Sequence, residues 1–596
     1  MLLRAQDLTK SFEYRTVLDS IDLQINEGDR KGLIGVNGMG KSTLLEILSG
    51  RMKPDLGEVH RRTERIGYLP QFPEFKEGES VLETIRGGGG RVDRISKRME
   101  EIEGLMAQGD PNLDWKKVAE EYSRLREQYE SIPHQGLDRR ERDIFDHLDL
   151  PEGVEGKQVS RLSGGERTKV TLAKLLIQGD RFDLLLLDEP TSHLDIESVE
   201  WLENHLLHMD CALVLVSHDR YFLDNVVTSV MELEDGRMWS YSGNYTTFVE
   251  KKAMDEERKW KEAERNRIKR QEEARKADNI HRESWFGSAH KTRLKMLEKM
   301  DQKEKPARRE TIEVDIGVEG KAGRNMITAR GLGIRRGGDR IVEGLDLEVK
   351  AGDKMGLFGP NGSGKTSLLL AIMYQIPYEG ELYIAPGARV GYFAQGHDTL
   401  ENTLTPEEQL LKAMGEDSRL EARKLLAKLL LTGREVERPI GTLSGGERAR
   451  VALAMLIADR RNLLILDEPT NHLDIPSCHA MESALVDYPG TLLIVTHDRY
   501  LLDSVCSKVA NLKEGELSVF KGNYSELKGR PKRRTMVKEG EVYRVLSSFT
   551  EWESRQKFKA GDRVVIPEDE MENFQWALDT GKLRRTGRRG RKRIGG

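Results

Sequence analysis

Two glycine-rich loops of one form stand in the chain, Gly35-Val36-Asn37-Gly38-Met39-Gly40-Lys41-Ser42 and Gly359-Pro360-Asn361-Gly362-Ser363-Gly364-Lys365-Thr366. Glycines at this spacing let successive backbone N–H groups turn inward on phosphate oxygens, and a helix starting at the loop's end adds its positive N-terminus. Each loop closes on a lysine that can reach the terminal phosphates (Lys41, Lys365) and a hydroxyl that can ligate Mg2+ (Ser42, Thr366); Thr43 and Ser367 come next. Farther on, Asp188 and Asp467 end runs of Leu and Ile, which reads as a buried strand with a carboxylate at its C-terminal edge, placed to hold Mg2+ directly or through water. Glu189 and Glu468 follow immediately, where a carboxylate can orient and polarise an attacking water. His218 and His497 end further apolar strands and could contact a γ-phosphate. The chemistry this set could perform is phosphoryl transfer to water.

Taken singly, each residue has an ordinary explanation. A carboxylate after a strand is commonly a cap, and a lone histidine is commonly a satisfied polar residue. Repetition decides against that. The loops lie 324 residues apart, and the same offset carries Gln71 onto Gln395. Then Leu162-Ser163-Gly164-Gly165-Glu166 returns as Leu443-Ser444-Gly445-Gly446-Glu447, Leu187-Asp188-Glu189-Pro190-Thr191 as Leu466-Asp467-Glu468-Pro469-Thr470, and Ser217-His218-Asp219-Arg220-Tyr221 as Thr496-His497-Asp498-Arg499-Tyr500. With glycine at about 7% of ordinary sequence, a chance loop has a probability of order 10⁻⁴ or less per position. Two loops, each followed by the same motifs in the same order, are not chance.

The elements that must position these groups follow from pattern. Lys31-Gly32-Leu33-Ile34 reads as the strand before the first loop and Thr43–Leu48 as the helix after it. The segment from Gln71 to Leu162 is longer than that from Gln395 to Leu443 by about 43 residues, an insertion near 91–135 that reads as a charged helical hairpin broken around Gln108-Gly109-Asp110-Pro111. Residues 251–310 carry 20 Lys and Arg against 13 Asp and Glu, and read as two helices around Glu283-Ser284-Trp285-Phe286-Gly287-Ser288 without a core-forming stripe. The fold class expected is α/β, with two nucleotide-binding domains in tandem (1–248, with the arm at 91–135, and 311–528), a helical hairpin linker at 249–310 and a small basic extension at 529–596. In that extension Glu541–Phe549 and Arg563–Pro567 read as strands and Glu568–Leu578 as a helix. Lys582–Arg593 holds eight basic residues and no acids, which fits a flexible arm on RNA phosphates.

Bulk composition sets limits. The 33% of charged residues exceeds the usual quarter, so the excess sits on solvent-facing helices and tails, while a net charge of −5 points to no polyanion partner for the whole molecule. The longest apolar runs are too short to cross a bilayer, no signal peptide opens the chain, and three scattered cysteines offer neither a disulfide framework nor a zinc spacing. A cytoplasmic protein is the expectation.

These motifs resemble the ATP-binding-cassette superfamily, whose phosphate loop and acidic pair in one domain face the Ser-Gly-Gly loop of the other. The resemblance implies ATP as substrate, Mg2+ as cofactor, and two composite sites within one monomeric chain. Site one would combine Gly35, Asn37, Gly38, Gly40, Lys41, Gln71, Asp188, Glu189 and His218 with Ser444, Gly445 and Gly446. Site two would combine Gly359, Asn361, Gly362, Gly364, Lys365, Gln395, Asp467, Glu468 and His497 with Ser163, Gly164 and Gly165. Gln71 and Gln395 would join the Mg2+ ligands. Phe12 fits the adenine-stacking aromatic, but Arg336 stands at the equivalent position, and Ser192 replaces the Asn seen at Asn471.

The tandem layout, the arm, the charged linker and Leu-Asp-Glu-Pro-Thr-x-His-Leu-Asp in both halves look like the ABC-F family, over about residues 1–528. That resemblance implies binding to the ribosome in the exit-site region, with rRNA and tRNA as partners, and a role as translation factor or in protection against ribosome-targeting antibiotics. Trp285 and Phe286, flanked by Arg282, Lys291 and Arg293, would then stack on unpaired bases, and Arg588, Arg589 and Arg591 would contact phosphates. An ATPase subunit of a membrane transporter and a DNA-associated cassette ATPase are the competing readings. The first would need a partner permease. The second usually brings very long coiled coils or zinc cysteines.

Overall fold

The structure is a computed structural model and describes residues 1–13, 15–75, 78–86, 98–99, 102, 106, 118, 121–126, 139–283, 323–336, 339–394, 400–415, 418–471, 473–529, 536–545, 549–550, 557–558, 563–567 and 583–594. The chain forms two units, residues 1–500 with 510–518, and residues 501–509 with 519–596.

In the first half, apolar runs without polar interruption demand a sheet covered on both faces. Strands β6 (Leu184–Asp188) and β7 (Ala212–Val216) are buried at every position. They lie in a six-stranded sheet with β3 (Arg30–Ile34), β5 (Ile66–Leu69), β8 (Ser229–Glu234) and β9 (Arg237–Ser242), in the order β5-β6-β7-β3-β8-β9. All neighbours are parallel except the β8–β9 hairpin. The alternation of β6 divides its side chains between two cores. Leu184 and Leu186 pack with Leu33, Leu44 and Leu45, while Leu185 and Leu187 pack with Val170 and Leu202. At roughly 1.5–3 kcal/mol per buried leucine, these four residues pin the register that puts Asp188 at the strand's end. A second, antiparallel sheet is formed by β1 (Leu3–Phe12), β2 (Arg15–Ile25) and β4 (Leu56–Arg61), in the order β2-β1-β4.

The second half repeats this plan. Strands β12 (Lys354–Phe358), β14 (Val390–Phe393), β15 (Leu463–Asp467) and β16 (Thr491–Val495) run parallel in the order β14-β15-β16-β12. Strands β10 (Asn325–Arg336), β11 (Asp339–Lys350) and β13 (Glu379–Ile384) make the antiparallel sheet. Both parallel sheets present their carboxyl ends to one side, where ligands of α/β sheets bind.

Between the halves, one helix runs Tyr245–Glu283, 39 residues or about 58 Å at 1.5 Å per residue. It starts earlier than its charge pattern suggests, because Tyr245 and Phe248 are buried in the first half's core. The linker residues Trp285, Phe286, Lys291 and Arg293 lie outside the described residues, and of Arg282 only the helical backbone is described. Most of the arm at 91–135 also lies outside them. Residues 98–99, 102, 106, 118 and 121–126 are helical, and Arg98 Nε donates to Glu121 Oε1 at 2.9 Å. Among the described residues no helix is long and apolar enough to cross a membrane.

The second unit holds a three-stranded antiparallel sheet of β19 (Met536–Val545), β22 (Arg563–Pro567) and β23 (Leu583–Ile594), ordered β22-β19-β23, beside the short pair β20 (Phe549–Thr550) and β21 (Lys557–Phe558). The basic run expected as a flexible arm is therefore mostly strand. In its register with β19, Arg589 stands opposite Glu541 and Arg591 opposite Glu539. The backbones of Arg588, Arg589 and Arg591 belong to this edge strand. The helix expected at Glu568–Leu578 lies outside the described residues.

Candidate functional site

Each glycine-rich loop leaves the carboxyl end of its sheet's central strand and enters a helix, α1 (Lys41–Ser49) in the first half and α8 (Lys365–Ile372) in the second. Gly40 and Gly364 open these helices at φ 94° and 96°. A Cβ there would also sit 2.3 Å from a methyl of Val17 and 2.6 Å from one of Ile341, so only glycine fits. The loop lysines are buried and fold back on their own loops. Lys41 Nζ donates to the carbonyls of Gly35 (2.8 Å) and Val36 (3.1 Å), and Lys365 Nζ to those of Gly359 (2.9 Å) and Pro360 (2.8 Å). Burial pulls both ammonium pKa values down, against the nearby carboxylates Glu189, Asp474 and Asp188 for Lys41 and Glu468, Asp195 and Asp467 for Lys365.

The acidic pair stands at the ends of β6 and β15, Asp188 and Asp467 as their last residues and Glu189 and Glu468 just past them. Glu189 and Glu468 take positive φ (51° and 48°), a costly backbone for glutamate. Burial, with Asp188 adding, raises Glu189 to about 8; burial likewise lifts Glu468 to about 8. His218 and His497 cross over to these acids. Their backbone N–H groups donate to Glu189 Oε2 (3.4 Å) and Glu468 Oε2 (3.3 Å), and their Nε2 atoms lie 3.4 and 3.6 Å from the other carboxylate oxygens. Burial, with the nearby loop lysines, depresses both imidazoles to about 4, so they are neutral at pH 7. His218 Nε2 also lies 3.1 Å from Asn37 Oδ1 of the glycine loop.

Buried polar atoms without a hydrogen-bond partner gather here. They include Asp188 Oδ2, Glu189 Oε1 and His218 Nδ1 in the first half, and Asp467 Oδ1, Glu468 Oε1 and His497 Nδ1 in the second. Native proteins leave few such groups, and those that stay buried are commonly completed by a ligand or ion. Ser42 hydrogen-bonds Asp188 and Thr366 hydrogen-bonds Asp467, leaving one carboxylate oxygen free in each. That donor set of hard oxygens suits Mg2+.

The halves face each other through these sites. Helix α5 (Ile196–Leu207) is capped by Asp195, and α12 (Ile475–Asp487) by Asp474. The free oxygen of each cap reaches the opposite glycine loop: Asn361 N donates to Asp195 Oδ2 (3.2 Å) and Asn37 N to Asp474 Oδ2 (3.4 Å). A cavity of 1210 Å³ is lined from both halves, by Phe12, Asn37, Gly38, Gly40, Lys41, Ser42, Thr43, Gln71, Asp188, Glu189 and His218 on one side and Arg336, Asn361, Gly362, Gly364, Lys365, Thr366, Ser367, Asp467, Glu468 and His497 on the other. Pockets for one small ligand run roughly 300–1,000 Å³, so this space suits more than one. Ser163 and Gly165, which begin helix α4 (Gly164–Ile177), line it too. Gly35, Gly359, Gly164, Ser444, Gly445 and Gly446 do not, although Ser444 starts helix α11 (Gly445–Ala458) with the same capping box as Ser163. Gln395 lies outside the described residues.

Four residues to which the motif reading gave no role join the halves. Arg220 Nη1 donates to Glu482 Oε2 (3.0 Å), and Arg499 Nη2 to Glu203 Oε1 (2.5 Å), each across the halves. All four repeat at an offset of 279 residues, as do His218 and His497. Glu203 and Glu482 stand inside unremarkable helices, and only that offset could have singled them out. Asp195 and Asp474 end the repeated His-Leu-Asp, a motif noticed as a family mark without a role.

One family model, described as ABC transporter, matches residues 18–192 and again 342–471, and a second of the same description matches 231–316. Energy-dependent translational throttle protein EttA of Escherichia coli (strain K12) is 34% identical over 528 residues, 87% of this chain and 93% of that protein. ABC transporter F family member 2 of Arabidopsis thaliana is 31% identical over 533 residues, 88% of this chain and 78% of that one. The crystal structure of archaeal ribosome recycling factor aABCE1 with the stalk protein aP1 shares the fold, at TM-score 0.55 and 18% identity over 97% of this chain and 98% of that one. With two nucleotide-binding domains matched and a relative of this identity covering nearly its whole length, the chain belongs to the ABC-F family of tandem ATP-binding-cassette proteins and is an ATPase.

Proposed function

We propose that the chain binds two ATP molecules between its cassettes, closes on them to engage the ribosome, and hydrolyses them to leave, thereby modulating translation. The reciprocal seating of Asp195 and Asp474 on the opposite phosphate loops carries the two-site reading, because each loop donates a backbone N–H to the other cassette. The ribosomal part rests on relatives named as translational throttles, aligned over 93% of their length, and on the basic linker.

In this reading the loop N–H groups of residues 37–41 and 361–365 cradle phosphates, and Lys41 and Lys365 exchange their loop carbonyls for phosphate oxygens. Ser42 with Asp188, and Thr366 with Asp467, hold Mg2+, with Gln71 and Gln395 as further ligands; the ion supplies positive charge to the phosphate oxygens. Glu189 and Glu468 orient water and accept its proton, a task suited by a pKa near the working pH. Neutral His218 and His497 offer an N–H to the γ-phosphate without adding charge. Ser163 and the N-terminus of α4 face site two, and Ser444 with α11 would do the same at site one once nucleotide draws the cassettes together. Phe12 and Arg336 stack on adenine. Arg282, Trp285, Phe286, Lys291 and Arg293 in the linker, and Arg588, Arg589 and Arg591 in the terminal sheet, contact RNA.

The test is ribosome pelleting of the full chain carrying Glu189→Gln and Glu468→Gln. With ATP the variant should sediment with ribosomes and stay there, and a translation reaction should slow. A variant that remains in the supernatant with ATP overturns the ribosomal reading.

A further inference from the structure

Behind the nucleotide cavity the cassettes exchange two arginines. Arg220 and Arg499 directly follow the sequence His-Asp in each half and are 2% and 1% exposed. Arg220 reaches into the second cassette: it donates to both oxygens of Glu482 and from Nη2 to Asp498 Oδ2 (3.4 Å), meets His479 Nδ1 at 3.2 Å, and lies 4.3 Å over the ring of Tyr500. Arg499 reaches the other way, to Glu203 Oε1 (2.5 Å) and Asp219 Oδ2 (3.0 Å), 5.1 Å over the ring of Tyr221. Tyr221 and Tyr500 meet edge to face at 4.8 Å between the two.

The carboxylates contacted are not incidental. Asp219 follows His218 and caps helix α6 (Arg220–Val226) by accepting from Phe222 N at 3.0 Å on its other oxygen. Asp498 follows His497 and accepts from Tyr500 N, two residues on, at 2.9 Å on the oxygen that Arg220 does not contact. Each arginine therefore grips the turn that presents the other cassette's histidine. Glu203 lies two helical turns beyond Asp195 on α5, and Glu482 two turns beyond Asp474 on α12, so one rigid helix grips both a foreign phosphate loop and a foreign arginine.

A buried guanidinium is tolerated only beside its acids, and here the acids belong to the other cassette. Parting the cassettes on one side strands a charge, and the adjoining tyrosine pair ties that side to the other. We propose that Arg220 and Arg499 are positioning residues for hydrolysis that act across the interface, each fixing the histidine turn of the opposite site so that the two sites close as one event. This rests on the reading of His218 and His497 as γ-phosphate contacts.

The experiment is steady-state ATP hydrolysis by the full chain with Arg220→Gln, Arg499→Gln, both together, each Arg→Lys, and His218→Ala. Either single Gln variant should lower kcat by about tenfold or more while KM for ATP moves less than about threefold, as displacement of a catalytic turn does. Lysine should recover part of the rate. The double variant should be no more than about threefold below either single, because one closing event is lost only once. Retention of kcat within about twofold, or a double loss equal to the product of the singles, overturns the proposal. Loss with His218→Ala but not with Arg499→Gln rejects the positioning role and leaves the histidine reading intact; full rate with His218→Ala rejects that reading instead. Melting without nucleotide checks folding, and if a Gln variant does not melt cooperatively, Arg220→Met with Glu482→Leu, which strands no charge at 482, carries the same expectation.

Discussion

Lys41 and Lys365 fold onto the same two carbonyls of their loops, Glu189 and Glu468 are both held near 8, and His218 and His497 both near 4. Around this shared chemistry the cassettes part company. Phe12 lines the cavity on one side and Arg336 on the other. Behind the Ser-Gly-Gly loops, Lys169 donates to the carbonyl (3.1 Å) and the carboxylate (3.3 Å) of Asp149, whereas Arg450 donates to the carbonyls of Leu429 and Leu430. Tyr245 opens a helix of 39 residues, and Tyr524, its counterpart at offset 279, opens one of four (Tyr524–Leu527). Groups assigned to the phosphates are duplicated, and the differences fall on the residues assigned to the base, the packing behind the loops, and what each cassette is attached to.

The largest effect should come from testing that equivalence directly. Removing both carboxylates by Glu189→Gln and Glu468→Gln is expected to cut ATP turnover by about 100-fold or more, the range a general base contributes. The singles discriminate. If the sites are equivalent and close together, each single alone should lose most of the activity; one single that keeps more than half the rate would show that turnover belongs to the other site.

Next comes the base. Stacking on a side chain contributes roughly 1–3 kcal/mol, so Phe12→Ala should weaken ATP binding by about tenfold. Arg336→Ala is expected to cost less in affinity and to change discrimination between ATP and GTP, since a guanidinium stacks without an aromatic's shape selectivity. Equilibrium titration with both nucleotides checks the pair, and equal losses would erase the asymmetry.

How much of this was legible in the chain follows from where the causes lie. The phosphate loops, the acid pairs and the histidines are local: a glycine spacing or a strand's apolar run fixes their place, so their sites could be read residue by residue. The meeting of Asp195 with Asn361, or Arg499 with Glu203, depends on how two distant segments dock, and no local pattern carries that. The last strand of the terminal sheet escaped for another reason. Lys582–Arg593 has the composition of a solvated arm, and its strand partner, Met536–Val545, is a segment far from it in sequence. Tyr245 escaped because the charge pattern that marks the linker begins after the buried turn that roots it.

Acidity offers a smaller test of the two buried glutamates. A carboxyl held near 8 when folded, against about 4.5 unfolded, is protonated in the native state, so its contribution to stability is present at low pH and is lost as pH rises towards 8. The histidines act oppositely: depressed to about 4 from 6.5, they favour the fold above 6.5 and lose that contribution as pH falls towards 4. Between pH 6.5 and 8 the glutamates dominate the change among these four groups. Over that window the nucleotide-free parent should lose stability relative to the Glu189→Gln, Glu468→Gln variant, by up to about 1.4 kcal/mol per group per pH unit. Parallel melting curves across the window would show that the acids are ionised before nucleotide arrives.

The smallest expected effect probes the root of the long helix. Tyr245 OH lies 3.4 Å from His479 Nε2, and His479 Nδ1 in turn meets Arg220, while Thr246 donates through N (2.7 Å) and Oγ1 (3.0 Å) to Asp224 of α6. The helix that leads into the linker is thus fastened both to the element that follows His218 and to the opposite cassette. The counterpart of His479 in the first cassette is Glu200, so a carboxylate stands there in place of the imidazole. Tyr245→Phe deletes one hydroxyl and should cost about 1 kcal/mol of stability. If the link carries the closed state outward, ATP hydrolysis without ribosomes should fall by less than about twofold, while any change of rate on adding ribosomes should shrink by more than that. Equal effects with and without ribosomes would make Tyr245 a packing residue, and would move the cassettes' difference from signalling to mere attachment.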